Sequence, residues 1–92
     1  YVDSEEMTRS QPALRKLYSS LFSTAKGNWD LFVVFIEKGV SLLRSQGTIS
    51  YIVPNKLISA PYSESLRELL NQQAILQIRD YSAVRVFLDV DV

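Results

Sequence analysis

The 92-residue chain has no cysteine and no histidine. The first absence removes disulfides and thiolate metal sites, and the second removes the commonest general base and the commonest zinc ligand. Nucleophilic triads, zinc hydrolases and metal-bound-water mechanisms therefore lack their usual parts, and no metal ligand is expected. An excess of charge of one sign is missing too. Ten Lys+Arg offset ten Asp+Glu, which leaves no global electrostatic footprint for nucleic acid, so any DNA contact must be local or made by a part outside these residues. Long apolar runs are also absent. No stretch reaches the about 18 residues needed to cross a bilayer, and the opening Tyr1 to Glu6 is acidic where a signal peptide would be basic. A cytoplasmic protein with no membrane partner is the expectation.

Hydrophobic residues make up 47% of the chain, which suits one domain. A domain of this size buries only about 60–65% of its unfolded surface and is marginal alone. The chain opens on Tyr1-Val2-Asp3 without an initiator methionine and reads as a piece of something longer.

Local punctuation divides the sequence. Ser10-Gln11-Pro12 is a helix-start signal, with Ser10 able to cap and Pro12 suited to the first turn. Leu14, Leu17, Tyr18, Leu21 and Phe22 then recur at helical spacing, and Lys26-Gly27 is the expected close, since Gly supplies a left-handed residue. Asn28 can cap a second helix over Trp29 to Leu43, with Asp30 in its first turn against the helix dipole. Its polar stripe is narrow (Asp30, Glu37, Ser41, Arg44), so most of its circumference should be buried, with Glu37 free to pair with Arg44. Gly47 closes it, and the β-branched run Thr48 to Val53 follows, stopped by Pro54. Ser59-Ala60-Pro61 opens a third helix with Tyr62, Leu66, Leu69 and Leu70 inward. Ala74 to Tyr81 and Val84 to Val92 are two further strand candidates. This order predicts an α/β fold, the C-terminal half of a doubly wound, Rossmann-like sheet with flanking helices.

Several runs carry more than periodicity. They are Tyr1-Val2, the run from Gly27 to Glu37 (G-x-x-DL-x-x-x-FIE), the run from Gly47 to Lys56 (G-x-x-x-x-I-x-PNK), Tyr62, Leu66-Arg67, Ile78-Arg79-Asp80 and Val86-Phe87. In this order and spacing they resemble the catalytic-domain core of N6-adenine DNA methyltransferases of restriction-modification systems, particularly the fused type IIG enzymes, just after their Asn-Pro-Pro-Tyr motif. The resemblance covers almost the whole chain. It implies methyl transfer from S-adenosylmethionine to a flipped-out adenine in double-stranded DNA, with residues 1–27 as a variable segment carrying a helix. Residues 28–92 would then form a helix-strand-helix-strand-strand half-sheet.

The resemblance also assigns residues. Adenine N6 is unreachable inside a duplex, so the base is extruded and stacked on aromatic faces; Tyr1 aligns with the motif's closing aromatic, and Phe87 with an aromatic that packs against the base from another side. Pro54, Asn55 and Lys56 stand at a strand's carboxyl end, where open α/β sheets place their ligand crevice. On composition alone, Tyr1 is equally a terminal residue, Phe87 a core aromatic, Pro54 a strand stop, Asn55 a turn residue and Lys56 a solvated cation. Arg15, Lys16 and Lys26 read as a solvated helix face rather than a phosphate contact. The sequence departs from the family in having no Gly-rich turn and no ribose-binding acid for the methyl donor. The parent is therefore expected to use S-adenosylmethionine while these residues alone bind no cofactor and stay inactive. An exposed sheet edge or the apolar helix would make the piece a homo-oligomer. Two alternatives stay open: the modification subunit of a multi-subunit restriction system, and a small helical interaction module.

Overall fold

A computed structural model describes residues 2–85, so the strand expected over Val84 to Val92 lies largely outside the described residues. Among these described residues, five α-helices and a 3₁₀ turn account for the regular structure: α1 (Ser4–Ser10), α2 (Pro12–Leu21), α3 (Leu31–Leu42), α4 (Lys56–Ser59), the 3₁₀ turn (Pro61–Ser63) and α5 (Glu64–Asn71).

The sequence did not signal α1. Asp3 caps it, its carboxylate accepting the Glu6 N–H at 2.8 Å, and Glu5 and Glu6 favour its positive end. One apolar residue, Met7, anchors it in the core. Proline then separates α1 from α2. Pro12 bars Gln11 from helical geometry, so Gln11 sits at φ −141°, ψ 59° and Ser10 ends α1 rather than capping α2. The second helix stops at Leu21, before the expected close. Gly27 does take a left-handed φ of 62°, but within the loop leading to α3.

The core gathers Met7, Trp29, Val33, Ile36 and Leu66, which are all nearly inaccessible to solvent. Trp29 lies just outside α3, whereas Val33 and Ile36 lie one turn apart on its inner face. The burial of α3 is less complete than its composition predicts, because Phe35 and Leu42 remain 61% and 71% exposed. Glu37 does not pair with Arg44 as expected; it faces the loop after α2 instead, as described below. After α3 the left-handed residue of the turn is Gln46, at φ 65°, rather than Gly47.

The expected α/β half-sheet is not formed: among the described residues there is no strand. Thr48 to Val53 and Ala74 to Tyr81 have strand composition, but a strand exists only when a second backbone completes its hydrogen-bond ladder, and these two segments do not pair with each other. Several of their apolar side chains stay outside, with Ile52, Leu76 and Ile78 at 78%, 80% and 69% exposure, while Val53 packs against the core. Among the described residues no sheet edge is therefore available for the expected self-association. Thr48 to Val53 lies instead along α3 at Gly39, where an added Cβ would land on the Tyr51 hydroxyl and Ile49 Cδ1. The Tyr51 O–H reaches the Phe35 carbonyl at 3.5 Å.

Two of the three described residues at 0% exposure, Leu66 and Ser63, separate useful burial from tolerated burial. Leu66 fills the core, and its loss leaves a cavity. The Ser63 hydroxyl has no hydrogen-bond partner among the described residues, which is a standing desolvation cost. Leu66→Ala should lower the unfolding free energy by about 2–5 kcal/mol, whereas Ser63→Ala should leave it unchanged or raise it by up to about 1 kcal/mol. Urea unfolding of the two variants measures both.

Candidate functional site

The site is built around a carboxylate. Asp30 immediately precedes α3 and is 3% exposed. A buried anion is tolerated only when donors replace its water. Here they come from distant parts of the chain. Oδ1 accepts the Ser4 backbone N–H at 2.9 Å, and Oδ2 accepts the Tyr62 hydroxyl at 2.9 Å, with the Lys56 ammonium 3.6 Å away. The Leu31 N–H also donates to the Val2 carbonyl at 3.0 Å. The segment 2–4, the start of α3, the start of α4 and the 3₁₀ turn thus converge on one point.

Neighbouring loops are held by side chains that bond to backbone. Arg15 stacks on the Trp29 ring at 4.2 Å and donates to the Trp29 carbonyl at 2.9 Å and the Gly27 carbonyl at 3.3 Å. Burial lowers the pKa of its guanidinium, and the negative charge of Asp30 partly offsets this. Arg15 is thus a packing residue rather than part of a solvated basic face. Glu37 accepts the Thr24 N–H at 2.8 Å and hydroxyl at 2.5 Å, fixing the turn after α2. Arg67 donates to the carbonyls of Leu57 and Ala60 at 3.0 and 2.9 Å, holding α4 from the opposite side.

Of the residues singled out from sequence, Tyr1 and Phe87 lie outside the described residues. Pro54 and Asn55 line a groove of about 910 Å³ whose far wall is formed by residues 79–85. Tyr51, Arg79 and Arg85 also border it. Asp80 lies on that far wall, and hydrogen bonds from the Ser82 backbone and side chain hold its carboxyl below the usual range. Lys56 does not line the groove but turns toward Asp30, half exposed. Sequence reading counted Asp30 and Tyr62 among the motif residues, but took Asp30 for a helix-start residue and Tyr62 for an inward helix side chain, and so did not foresee that they meet. The available signal was an acid between Trp29 and Leu31, because a carboxylate among apolar neighbours must find donors elsewhere. Among the described residues no group of His, Cys, Asp and Glu could hold a metal ion, and no helix is long and apolar enough to cross a membrane.

The family model described as Eco57I restriction-modification methylase matches residues 1–87. The chain is 26% identical over 76 residues to the type II restriction enzyme and methyltransferase RM.Eco57I of Escherichia coli, a match covering 83% of this chain and 8% of that protein. It is 34% identical over 65 residues to the type II methyltransferase M.TthHB8I of Thermus thermophilus, covering 71% of this chain and 15% of that protein. The chain therefore spans a small part of the length of either relative. No solved structure matches it.

Arg15 offers a test of the packing role. Arg15→Lys keeps the charge but loses the planar fork that reaches two carbonyls and the ring stack. It should cost about 1–2 kcal/mol of stability, with Lys26→Ala within about 0.5 kcal/mol of the parent; denaturant titration of both variants decides this.

Proposed function

We propose a function from one premise: the chain belongs to the Eco57I restriction-modification methylase family. It is part of a site-specific DNA methyltransferase of a type II restriction-modification system, cytoplasmic, acting on adenine N6 in double-stranded DNA with S-adenosylmethionine as methyl donor. Residues 1–27 are its variable segment, and residues 28–92 contribute to the wall of the base pocket. Tyr1 and Phe87 are the aromatic faces for the extruded base, and Pro54, Asn55 and Lys56 form the turn beside it. An endonuclease in the same polypeptide is supported by the Escherichia coli relative, which is named a restriction enzyme as well as a methyltransferase.

The observation that carries this reading is the convergence on Asp30. The segment beginning one residue after Tyr1 and the turn ending at Lys56 are far apart in sequence, yet they meet on one carboxylate. These are two of the regions that the resemblance to N6-adenine DNA methyltransferases assigns to the base pocket. Base extrusion needs π faces held in fixed positions, since stacking replaces what the base loses on leaving the duplex.

The described residues do not fit the methyl donor. Gly27, Gly39 and Gly47 stand in separate places, at a loop, beneath Tyr51 and in a turn, and form no Gly-rich loop at a helix start. The buried carboxylate, Asp30, is committed to protein donors. The donor is therefore bound elsewhere in the whole protein, and these residues alone are inactive. Self-association, if the piece is isolated, would use apolar side chains that α3 leaves exposed, Phe35 and Leu42. The helical architecture, without a strand among the described residues, favours the interaction-module alternative, but the family match over residues 1–87 outweighs it.

The test is made on the whole protein carrying this segment. Nucleoside mass spectrometry of methylated duplex DNA should find N6-methyladenine. Tyr1→Ala should lower turnover about tenfold or more, and Tyr1→Phe should stay within about threefold of the parent, because the π face is kept. Methyl groups on cytosine, or a fully active Tyr1→Ala variant, would overturn the assignment.

A further inference from the structure

We infer that Asp30 is a positioning residue: its buried carboxylate fixes the segment that follows Tyr1 against the turn ending at Lys56, and so sets where the base-stacking tyrosine stands. The inference rests on the role given to Tyr1 above.

Asp30 occupies the N-cap position of α3, with extended backbone at φ −92°, ψ 160°, yet its side chain makes no capping bond to that helix. An aspartate at this position ordinarily accepts from the amides of its own first turn. Here both oxygens are directed elsewhere, to donors 26 residues earlier and 32 residues later in the chain. The local stability that a cap provides is given up, and a junction between remote segments is obtained.

The geometry makes the junction stiff. The segment 2–4 is held at two points, by Ser4 N–H on Asp30 Oδ1 at 2.9 Å and by the Val2 carbonyl on Leu31 N–H at 3.0 Å. Two bonds on one short stretch fix its direction as well as its distance. The Tyr62 hydroxyl on Oδ2 is itself oriented, because its ring packs against Phe32 with centroids 6.2 Å apart. Lys56 supplies positive charge at 3.6 Å from the same oxygen, while Arg67 holds the next turn of chain through the Leu57 and Ala60 carbonyls. Displacing the carboxylate therefore moves both the chain leaving Tyr1 and the chain leaving Asn55. Hydrogen bonds to an ionised acceptor are the stronger kind, and in a buried site they lose little to water.

The consequence for turnover is specific. A residue that only supports the fold lowers activity by lowering the folded fraction. A residue that acts through the placement of Tyr1 lowers kcat while leaving KM for DNA nearly unchanged, and its effect disappears when the Tyr1 ring is absent.

The experiment uses the whole methyltransferase with Asp30→Asn, Tyr62→Phe, Tyr1→Ala and the Asp30→Asn/Tyr1→Ala double variant. Asp30→Asn is isosteric and keeps an acceptor for Ser4 while removing the charge; Tyr62→Phe removes one donor and keeps the ring against Phe32. Amide hydrogen exchange over residues 2–6 should speed up about tenfold in Asp30→Asn and less in Tyr62→Phe, with the thermal midpoint of each still well above the assay temperature. Asp30→Asn should lower kcat about tenfold at unchanged KM for DNA in the Tyr1 background, and less than about twofold in the Tyr1→Ala background. Unchanged exchange over residues 2–6 overturns the anchoring. Faster exchange with fully additive kinetic losses overturns the positioning role and leaves Asp30 a structural residue. A Tyr1→Ala variant with full turnover overturns the reading of Tyr1 and with it the route from Asp30 to turnover, while the exchange data still decide the anchoring by themselves.

Discussion

A negative charge in a nearly dry place organises this chain. The Asp30 carboxylate is 3% exposed, and leaving it unpaired would cost several kcal/mol. Its requirement for donors is therefore a constraint on topology. Ser4, Lys56 and Tyr62 belong to three separate segments, and each must be brought to the start of α3 before the charge can be buried there. The same field reaches Arg15, whose guanidinium it helps keep protonated against the effect of burial. Arg15 in turn covers Trp29, the largest buried side chain. Polar junction and apolar core are consequently adjacent and mutually dependent: the core excludes the water that would weaken the junction, and the junction fixes the loops that close the core.

Among the described residues, side-chain to backbone bonds do what a sheet would do elsewhere. Irregular segments expose amides and carbonyls that must be satisfied when they approach the interior. Glu37 answers for the amide of Thr24, Arg15 for the carbonyls of Gly27 and Trp29, and Arg67 for those of Leu57 and Ala60. Several motif residues find their physical reason in this. In the run from Gly27 to Glu37, the glycine takes the left-handed turn, Trp29 and Ile36 fill the core, Asp30 forms the junction and Glu37 latches the preceding loop. In Leu66-Arg67 the first residue is core and the second is a clamp.

The local features were legible in the sequence, and the non-local ones were not. The periodicity of Leu14 to Leu21, of Leu31 to Leu42 and of Leu66 to Leu70 reports a helix because a helix satisfies its own backbone within a few residues. Helix α1 was missed because a single inward residue, Met7, gives no period to read, and its cap at Asp3 became visible only with the Glu6 amide placed on it. The strands failed for the opposite reason. Thr48 to Val53 has the β-branched composition of a strand, but composition is a property of the segment and a ladder is a property of two. Asp30 combined both situations. Its position at the head of a helix was evident, but what its oxygens bind depends on chain that folds back from residues 4 and 62.

The turn at Pro54, Asn55 and Lys56 shows how a contiguous motif can serve two surfaces. Pro54 and Asn55 line the groove that faces residues 79–85, whereas Lys56 leaves that wall and extends toward Asp30. The change of side follows from the onset of α4, since Asn55 is its N-cap and Lys56 its first residue. Where extended chain becomes helix, successive side chains no longer alternate across one plane but begin to rotate by about a hundred degrees each. Two neighbours can then face an opening while the third anchors them from behind. An anchored third residue restricts the backbone of the other two, so an ion pair away from the groove, together with Arg67 on the Leu57 and Ala60 carbonyls, helps hold the groove wall. The three residues are therefore better understood as a lining pair and its anchor than as three equivalent lining residues.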